Sequence, residues 1–268
     1  LESGVWCTPL GHGNPAVKEA LTRQLDAVAH VGFCYGSSVV EEAAGGVQGL
    51  LGHEGGRCAF LCSGSEAVEY GMRVMRAVLD GAMVMTLADS YFGAYGDAAA
   101  RGDGWFVFDW FDCEGWERAD CTADCPRWAS VTLDEISGFL FEPGSSSGLV
   151  RFPPARLIES IGRALKEKGG LFMVNEVTTG MGRTGRWFGH QHYDVRPDIA
   201  ALGKGVGNGY PVSVTSMNAE VADRLGNAPI PYGQSRRLCR AAQSLFRDFC
   251  RMGISCNFAA HRTQTEPL

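Results

Sequence analysis

Short apolar runs alternate along this chain with stretches whose apolar residues recur at helical spacing, and that alternation admits few folds. The runs are Cys58–Cys62, Ala82–Leu87, Trp105–Phe108, Phe139–Phe141, Leu171–Val174 and Ile199–Leu202. Before and between them lie three well-marked helices. One opens at Asn14-Pro15 and carries Val17, Ala20, Leu21, Leu25 and Val28. A second begins at Ser63-Gly64-Ser65-Glu66 and carries Ala67, Met72, Met75 and Leu79. A third covers Arg156–Lys168, is stopped by Gly169-Gly170, and has Leu157, Ile158, Ile161 and Leu165 on one face. Strands too short and apolar to face water, separated by amphipathic helices, predict an α/β fold of three layers: a mainly parallel sheet with helices on both faces.

In such sheets ligands bind beyond the carboxyl ends of the strands. Four polar features fall there: Ser63-Gly64-Ser65, Glu142, Asn175 and Lys204. The chain has four lysines, and Lys18, Lys166 and Lys168 lie in charged helical stretches where a solvated ammonium is the default. Lys204 stands apart in Gly203-Lys204-Gly205-Val206-Gly207-Asn208-Gly209, a turn where a ligand can approach the backbone and an amine can be desolvated towards nucleophilicity. Ser63-Gly64-Ser65 precedes a helix, so its free amides suit a phosphate; a plain N-cap is the competing reading. Asn175 and Glu176 end one strand, and alternation sends only one of them to the site. Tyr91-Phe92-Gly93 follows another, placing an aromatic where it can stack on a flat ring or simply join the core. The glycines around Lys204 match neither the Walker A nor the dinucleotide-binding spacing.

A net charge of -6 argues against a nucleic-acid surface. No apolar run has the roughly 18–20 residues of a membrane span, and a cytoplasmic location is the expectation. The ten cysteines are scattered, and Cys58 and Cys62 are expected as reduced, buried thiols. Cys113, Cys121 and Cys125 lack a CxxC pair, so no metal is expected there.

The run Asn175-Glu176-Val177-Thr178-Thr179-Gly180-Met181-Gly182-Arg183-Thr184-Gly185-Arg186-Trp187-Phe188-Gly189 resembles the signature of class III aminotransferases, which depend on pyridoxal phosphate (PLP). His192-Tyr193, Pro197-Asp198-Ile199, Gly203-Lys204-Gly205 and Gly209-Tyr210-Pro211 continue the match. Upstream, Leu10-Gly11-His12-Gly13-Asn14-Pro15, Ser63-Gly64-Ser65-Glu66-Ala67, Ser90-Tyr91-Phe92-Gly93 and Glu142-Pro143 follow in the family's order, so the resemblance spans roughly residues 3–235.

The resemblance implies the PLP-dependent transferase fold type I. It also implies a homodimer, and transfer of an amino group between an amine or amino acid and a keto acid or aldehyde through a Lys204 Schiff base. It casts Ser63, Gly64 and Ser65 around the phosphate, Tyr91 on the pyridine ring with Phe92 beside it, and Glu142 and Val177 next to the cofactor. Asn175 falls opposite the ring nitrogen, and Ser235 where a hydroxyl reaches the neighbouring subunit's phosphate. The same residues also suit an aminomutase, epimerase or lyase of the family, or a non-catalytic PLP-binding remnant. The expected division is an N-terminal segment (1–38), a PLP-binding large domain (39–230) and a divergent tail (231–268) where the family has its small domain. From Arg236 on, six arginines and three cysteines appear without a family match. The other departure is Asn175, where the family has aspartate. An amide oxygen accepts the bond of a ring N–H without supplying charge, so the ring is expected to be a weaker electron sink and Asn175→Asp to raise the half-reaction rate.

Overall fold

The computed structural model describes residues 3–28, 36–80, 83–113, 127, 131–147 and 150–226. In chain order the helical segments are α1 (Ser3–Trp6), which is a single left-handed turn, α2 (Pro15–Ala27), α3 (Ser38–Leu51), α4 (Gly64–Leu79), α5 (Asp97–Ala100), α6 (Ala155–Glu167) and α7 (Ala219–Leu225). The strands are β1 (Arg57–Leu61), β2 (Met83–Leu87), β3 (Trp105–Phe108), β4 (Ile136–Phe141), β5 (Leu171–Glu176), β6 (Ile199–Leu202) and β7 (Ser213–Met217). They form one sheet in the order β1-β7-β6-β5-β4-β2-β3. The pairs from β6 through β3 are parallel, whereas β7 runs antiparallel to both of its neighbours.

Strand β7 is the element that the apolar runs did not reveal. Its Ser213, Thr215 and Ser216 are buried polar residues, so no apolar run marks it. Helix α4 makes that burial tolerable. The Ser213 hydroxyl donates to the Ser63 carbonyl and the Thr215 hydroxyl to the Ala67 carbonyl, each at 2.7 Å. Ser216 meets Nδ1 of the buried His53 at 2.9 Å, and Nε2 of that ring contacts the Pro197 carbonyl at 2.9 Å.

Helices cover both faces. Helix α4 lies over β5, β6 and β7 and buries Ala67, Val68, Met72 and Met75 in one core with Met173, Ile199 and Ala201. Helix α6 lies over β4 and β5 on the other face, where Leu157, Ile158, Ile161 and Leu165 pack against Phe139, Phe141 and Phe172. The Phe139 and Phe172 rings meet edge to face with centroids 5.3 Å apart, and truncating Phe139 to alanine costs about 3–5 kcal/mol. Helix α2 differs from its sequence pattern: Val17 and Ala20 are buried, but Leu25 and Val28 are exposed. Cys62 is also exposed, contrary to the expectation of a buried thiol, because β1 ends one residue before it. Cys58, inside β1, has its thiol pushed up to about 12 by burial, against the pull of a Ser216 hydrogen bond. Cys121 and Cys125 lie outside the described residues, and among the described residues no group of His, Cys, Asp and Glu could hold a metal ion. No helix among the described residues is long and apolar enough to cross a membrane.

Candidate active site

Five connections converge, at the carboxyl ends of β1, β2, β4, β5 and β6. Helix α4 starts directly after β1, and Ser63 caps it: the Ser63 hydroxyl accepts from the Glu66 amide at 3.3 Å, while the Glu66 carboxylate accepts from the Ser63 amide at 2.7 Å. The amides of Gly64 and Ser65 open the helix and have no acceptor within it. Gly64 is required by packing. A Cβ there would stand 2.6 Å from a Val177 methyl carbon, on the loop that follows β5.

Asn175 and Glu176 divide as strand alternation predicts. Asn175, 3% exposed, lines the pocket, and Glu176 turns the other way. The Glu176 carboxylate accepts from the Thr179 hydroxyl (2.6 Å), the Gly189 amide (2.8 Å) and the His190 amide (2.7 Å), with the His190 ring at 2.8 Å. That cluster clamps the loop carrying Val177 and Thr178 over the end of β5.

Lys204 begins a 3-10 turn directly after β6, with φ at +44°, a left-handed conformation that is costly for any residue but glycine. Its Nζ donates to the Thr178 hydroxyl at 2.9 Å and lies 4.9 Å from the centre of the Trp6 ring. Burial lowers the pKa of the amine, with Arg183 adding to the effect; Cys7 and Glu142 oppose it. Glu142, at the end of β4, is 2% exposed. Burial raises its carboxyl to about 7 despite hydrogen bonds from Ser146 and Tyr91 and the charge of Lys204. Burial penalises the charged form of each group, so the amine pKa falls and the carboxyl pKa rises.

Tyr91 is held from both sides. Its amide donates to Glu142 Oε2 at 2.8 Å and its carbonyl accepts from Asn175 Nδ2 at 3.0 Å, while its side chain is 47% exposed. Phe92 is turned inward, stacked near Trp105 with the Arg101 guanidinium over its ring. Gly93, at φ +116°, lets the loop touch Ser65, whose hydroxyl accepts from the Ala94 amide at 3.2 Å.

These elements enclose a pocket of about 180 Å³. Of the residues singled out in the sequence, Gly64, Ser65, Tyr91, Phe92, Glu142, Asn175, Val177 and Lys204 line it. Ser63 does not, since its hydroxyl is engaged in capping α4, and Ser235 lies outside the described residues. A wider groove of about 680 Å³ follows α2 past Lys18, Glu19 and Arg23, but it is open surface of a single helix. Sequence reasoning missed Trp6, Ser146 and Thr178 as neighbours of Lys204 and Glu142. Thr178 sits inside the long motif and was within reach; Ser146, which donates to Glu142 Oε1 at 2.6 Å, comes from a serine-rich loop with no pattern of its own.

Comparison with known proteins identifies relatives of the chain. The family model for aminotransferase class-III matches residues 112–235. The chain is 31% identical over 223 residues to an acetylornithine aminotransferase of Bacillus subtilis, covering 78% of this chain and 54% of the relative. It is 32% identical over 228 residues to an acetylornithine aminotransferase of Mycobacterium tuberculosis, covering 84% of this chain and 56% of the relative. It thus spans about half the length of these relatives. The fold matches that of a taurine:2-oxoglutarate aminotransferase of Bifidobacterium kashiwanohense, solved in complex with PLP and glutamate. The TM-score is 0.82 and the identity 20%, over 97% of this chain and 64% of that one. At 31–32% identity over more than three quarters of its length, the chain belongs to the class III aminotransferase family.

Proposed function

We propose that this chain is the cofactor-binding body of a PLP-dependent aminotransferase that moves an amino group between an amine or amino acid and a keto acid or aldehyde. The observation that carries the reading is a half-buried lysine amine of lowered pKa in a pocket that also holds the open amides of a helix start. The pocket's donor set fits PLP. The Gly64 and Ser65 amides and the Ser65 hydroxyl suit its phosphate, Lys204 its aldehyde, the Tyr91 ring its flat face, and the buried Asn175 amide its far edge. When bound, PLP supplies an electron sink for the bonds at the substrate's α-carbon.

The chain's own residues then have distinct tasks. The lowered pKa of Lys204 favours a neutral amine, able first to attack a carbonyl and later to carry a proton at Nζ. Thr178 orients that amine through the 2.9 Å bond. Glu142, held between the Tyr91 amide and the Ser146 hydroxyl, fixes the loop that presents the Tyr91 ring. Assembly as a homodimer, with Ser235 reaching the partner's phosphate site, and a cytoplasmic location belong to the same reading.

The test is reduction of the PLP-treated chain with borohydride, followed by peptide mapping. A phosphopyridoxyl label on Lys204 and its loss in Lys204→Ala are expected; a label absent from Lys204 sinks the reading. Conversion to the pyridoxamine form on adding an amino donor then separates a transaminase from a protein that only binds the cofactor.

A further inference from the structure

The floor of the pocket carries an amide whose orientation is already fixed. Asn175 Nδ2 donates to the Tyr91 carbonyl at 3.0 Å, and Oδ1 accepts from the Val177 amide at 3.1 Å. A carbonyl only accepts and a backbone N–H only donates, so exchanging the two ends of the amide would break both bonds. The sequence led us to expect the amide oxygen at the ring. In the fold that oxygen is tied to the loop after β5, and it is the nitrogen that sits against the backbone carbonyl of Tyr91, a residue lining the pocket. Nδ2 has two hydrogens and one is taken, so an N–H donor is left. Both oxygens of Glu142, which lines the same pocket, are already engaged. Its Oε1 accepts from Ser146 and its Oε2 from Tyr91.

We propose that Asn175 presents this N–H to the pyridine nitrogen of PLP, so that the chain binds its cofactor with the ring nitrogen unprotonated. The proposal rests on the PLP reading above and on the shape of the molecule. The ring nitrogen lies para to the carbon bearing the aldehyde. A ring held by its phosphate at the start of α4 and by its aldehyde at Lys204 therefore turns its nitrogen away from the lysine, towards the buried floor where Asn175 stands. An unprotonated pyridine nitrogen accepts a hydrogen bond, whereas a pyridinium must donate one, so a donor at this point selects the neutral ring. Aspartate at 175 would reverse the selection. It would also bring a carboxylate oxygen to the Tyr91 carbonyl, now 3.0 Å from the amide nitrogen, in place of a hydrogen bond. Asn175 and the Tyr91 loop are thus matched to each other. A neutral ring withdraws electrons less strongly, which places more of the burden of proton removal on Lys204.

The experiment is 15N NMR of the holoprotein prepared with PLP labelled at the ring nitrogen. The resonance is expected at the position of an unprotonated pyridine throughout the neutral pH range, and Asn175→Asp is expected to move it to the pyridinium position. A wild-type resonance at the pyridinium position overturns the proposal, and if Lys204 is labelled by borohydride in the same sample the PLP reading still stands. Failure of Lys204 to take the label overturns both. An unmoved resonance in a folded Asn175→Asp also counts against the proposal. The wild-type spectrum decides alone if that variant does not fold.

Discussion

The Glu176 carboxylate takes two contacts from His190, one from the backbone amide at 2.7 Å and one from the imidazole at 2.8 Å. Together with the bonds from Thr179 and Gly189, they make one buried side chain the anchor of the whole connection between β5 and β6. Its strand neighbour Asn175 faces the pocket, so a single dipeptide fixes the floor on one side of the sheet and the loop on the other.

Removing that anchor strands four buried donors. Glu176→Ala is expected to cost about 3 kcal/mol or more, and Glu176→Gln less, because the amide keeps one accepting oxygen while its NH2 group faces the donors of the other. Urea unfolding of both variants checks the order. Equal losses would mean that the loop is held by something other than this carboxylate.

The junction of α4 with the two ligand-bearing loops has no space to spare. A Cβ on Gly64 would stand 2.6 Å from a Val177 methyl carbon, and one on Gly203 would stand 3.3 Å from the Gly64 Cα. Gly64→Ala is expected to destabilise the chain by about 1–3 kcal/mol through overpacking. It should also weaken PLP binding, because it moves the two amides offered to the phosphate. A PLP titration followed by absorbance, run beside a melting curve, reads both effects. Unchanged affinity in a destabilised variant would remove Gly64 from the phosphate site.

Glu142 makes apoprotein stability depend on pH. Burial raises its carboxyl from the ordinary 4.5 to about 7, so the folded state holds the proton more tightly than the unfolded chain does. This contribution is fully present below pH 4.5 and is lost as the pH rises through 7. Glu142→Gln, which cannot ionise, should lose less stability than the wild type between pH 5 and pH 8, by about the linkage slope of one proton. Parallel denaturation curves across this range would contradict the assignment.

Cys58 and Cys62 are four residues apart, yet differ in their surroundings. Cys62 is exposed beyond the end of β1, whereas the Cys58 thiol, at about 12, holds a thiolate fraction on the order of a thousandfold below that of an ordinary thiol. Brief maleimide treatment at neutral pH should therefore modify Cys62 and spare Cys58, as read by peptide mass spectrometry. Equal labelling would show that β1 opens readily.

The sequence made the parallel body of the sheet legible, because β2 to β6 are apolar runs whose burial needs helices on both faces. It made Lys204 and Asn175 legible by their places at strand ends. Strand β7 was hidden, since Ser213, Thr215 and Ser216 look like loop residues until the α4 carbonyls and His53 that pair with them are in place. Trp6 was hidden for a related reason: nearly 200 residues of chain separate it from Lys204, and only tertiary folding brings the ring to the amine. The direction of the Asn175 amide depends on Tyr91, 84 residues away, and no local pattern encodes it.

The antiparallel pairing of β7 also sets a timetable. Among the described residues β1 is an edge strand whose one hydrogen-bonded neighbour is β7, with Arg57 opposite Met217 and Leu61 opposite Ser213. On the ribosome β1 emerges first and waits through some 150 residues of synthesis before its neighbour exists. The turn between β1 and α4 is therefore completed only once β7 has been made, although it is translated early. This places a high-contact-order step, slow and exposed to misassociation, at the birth of the cofactor site.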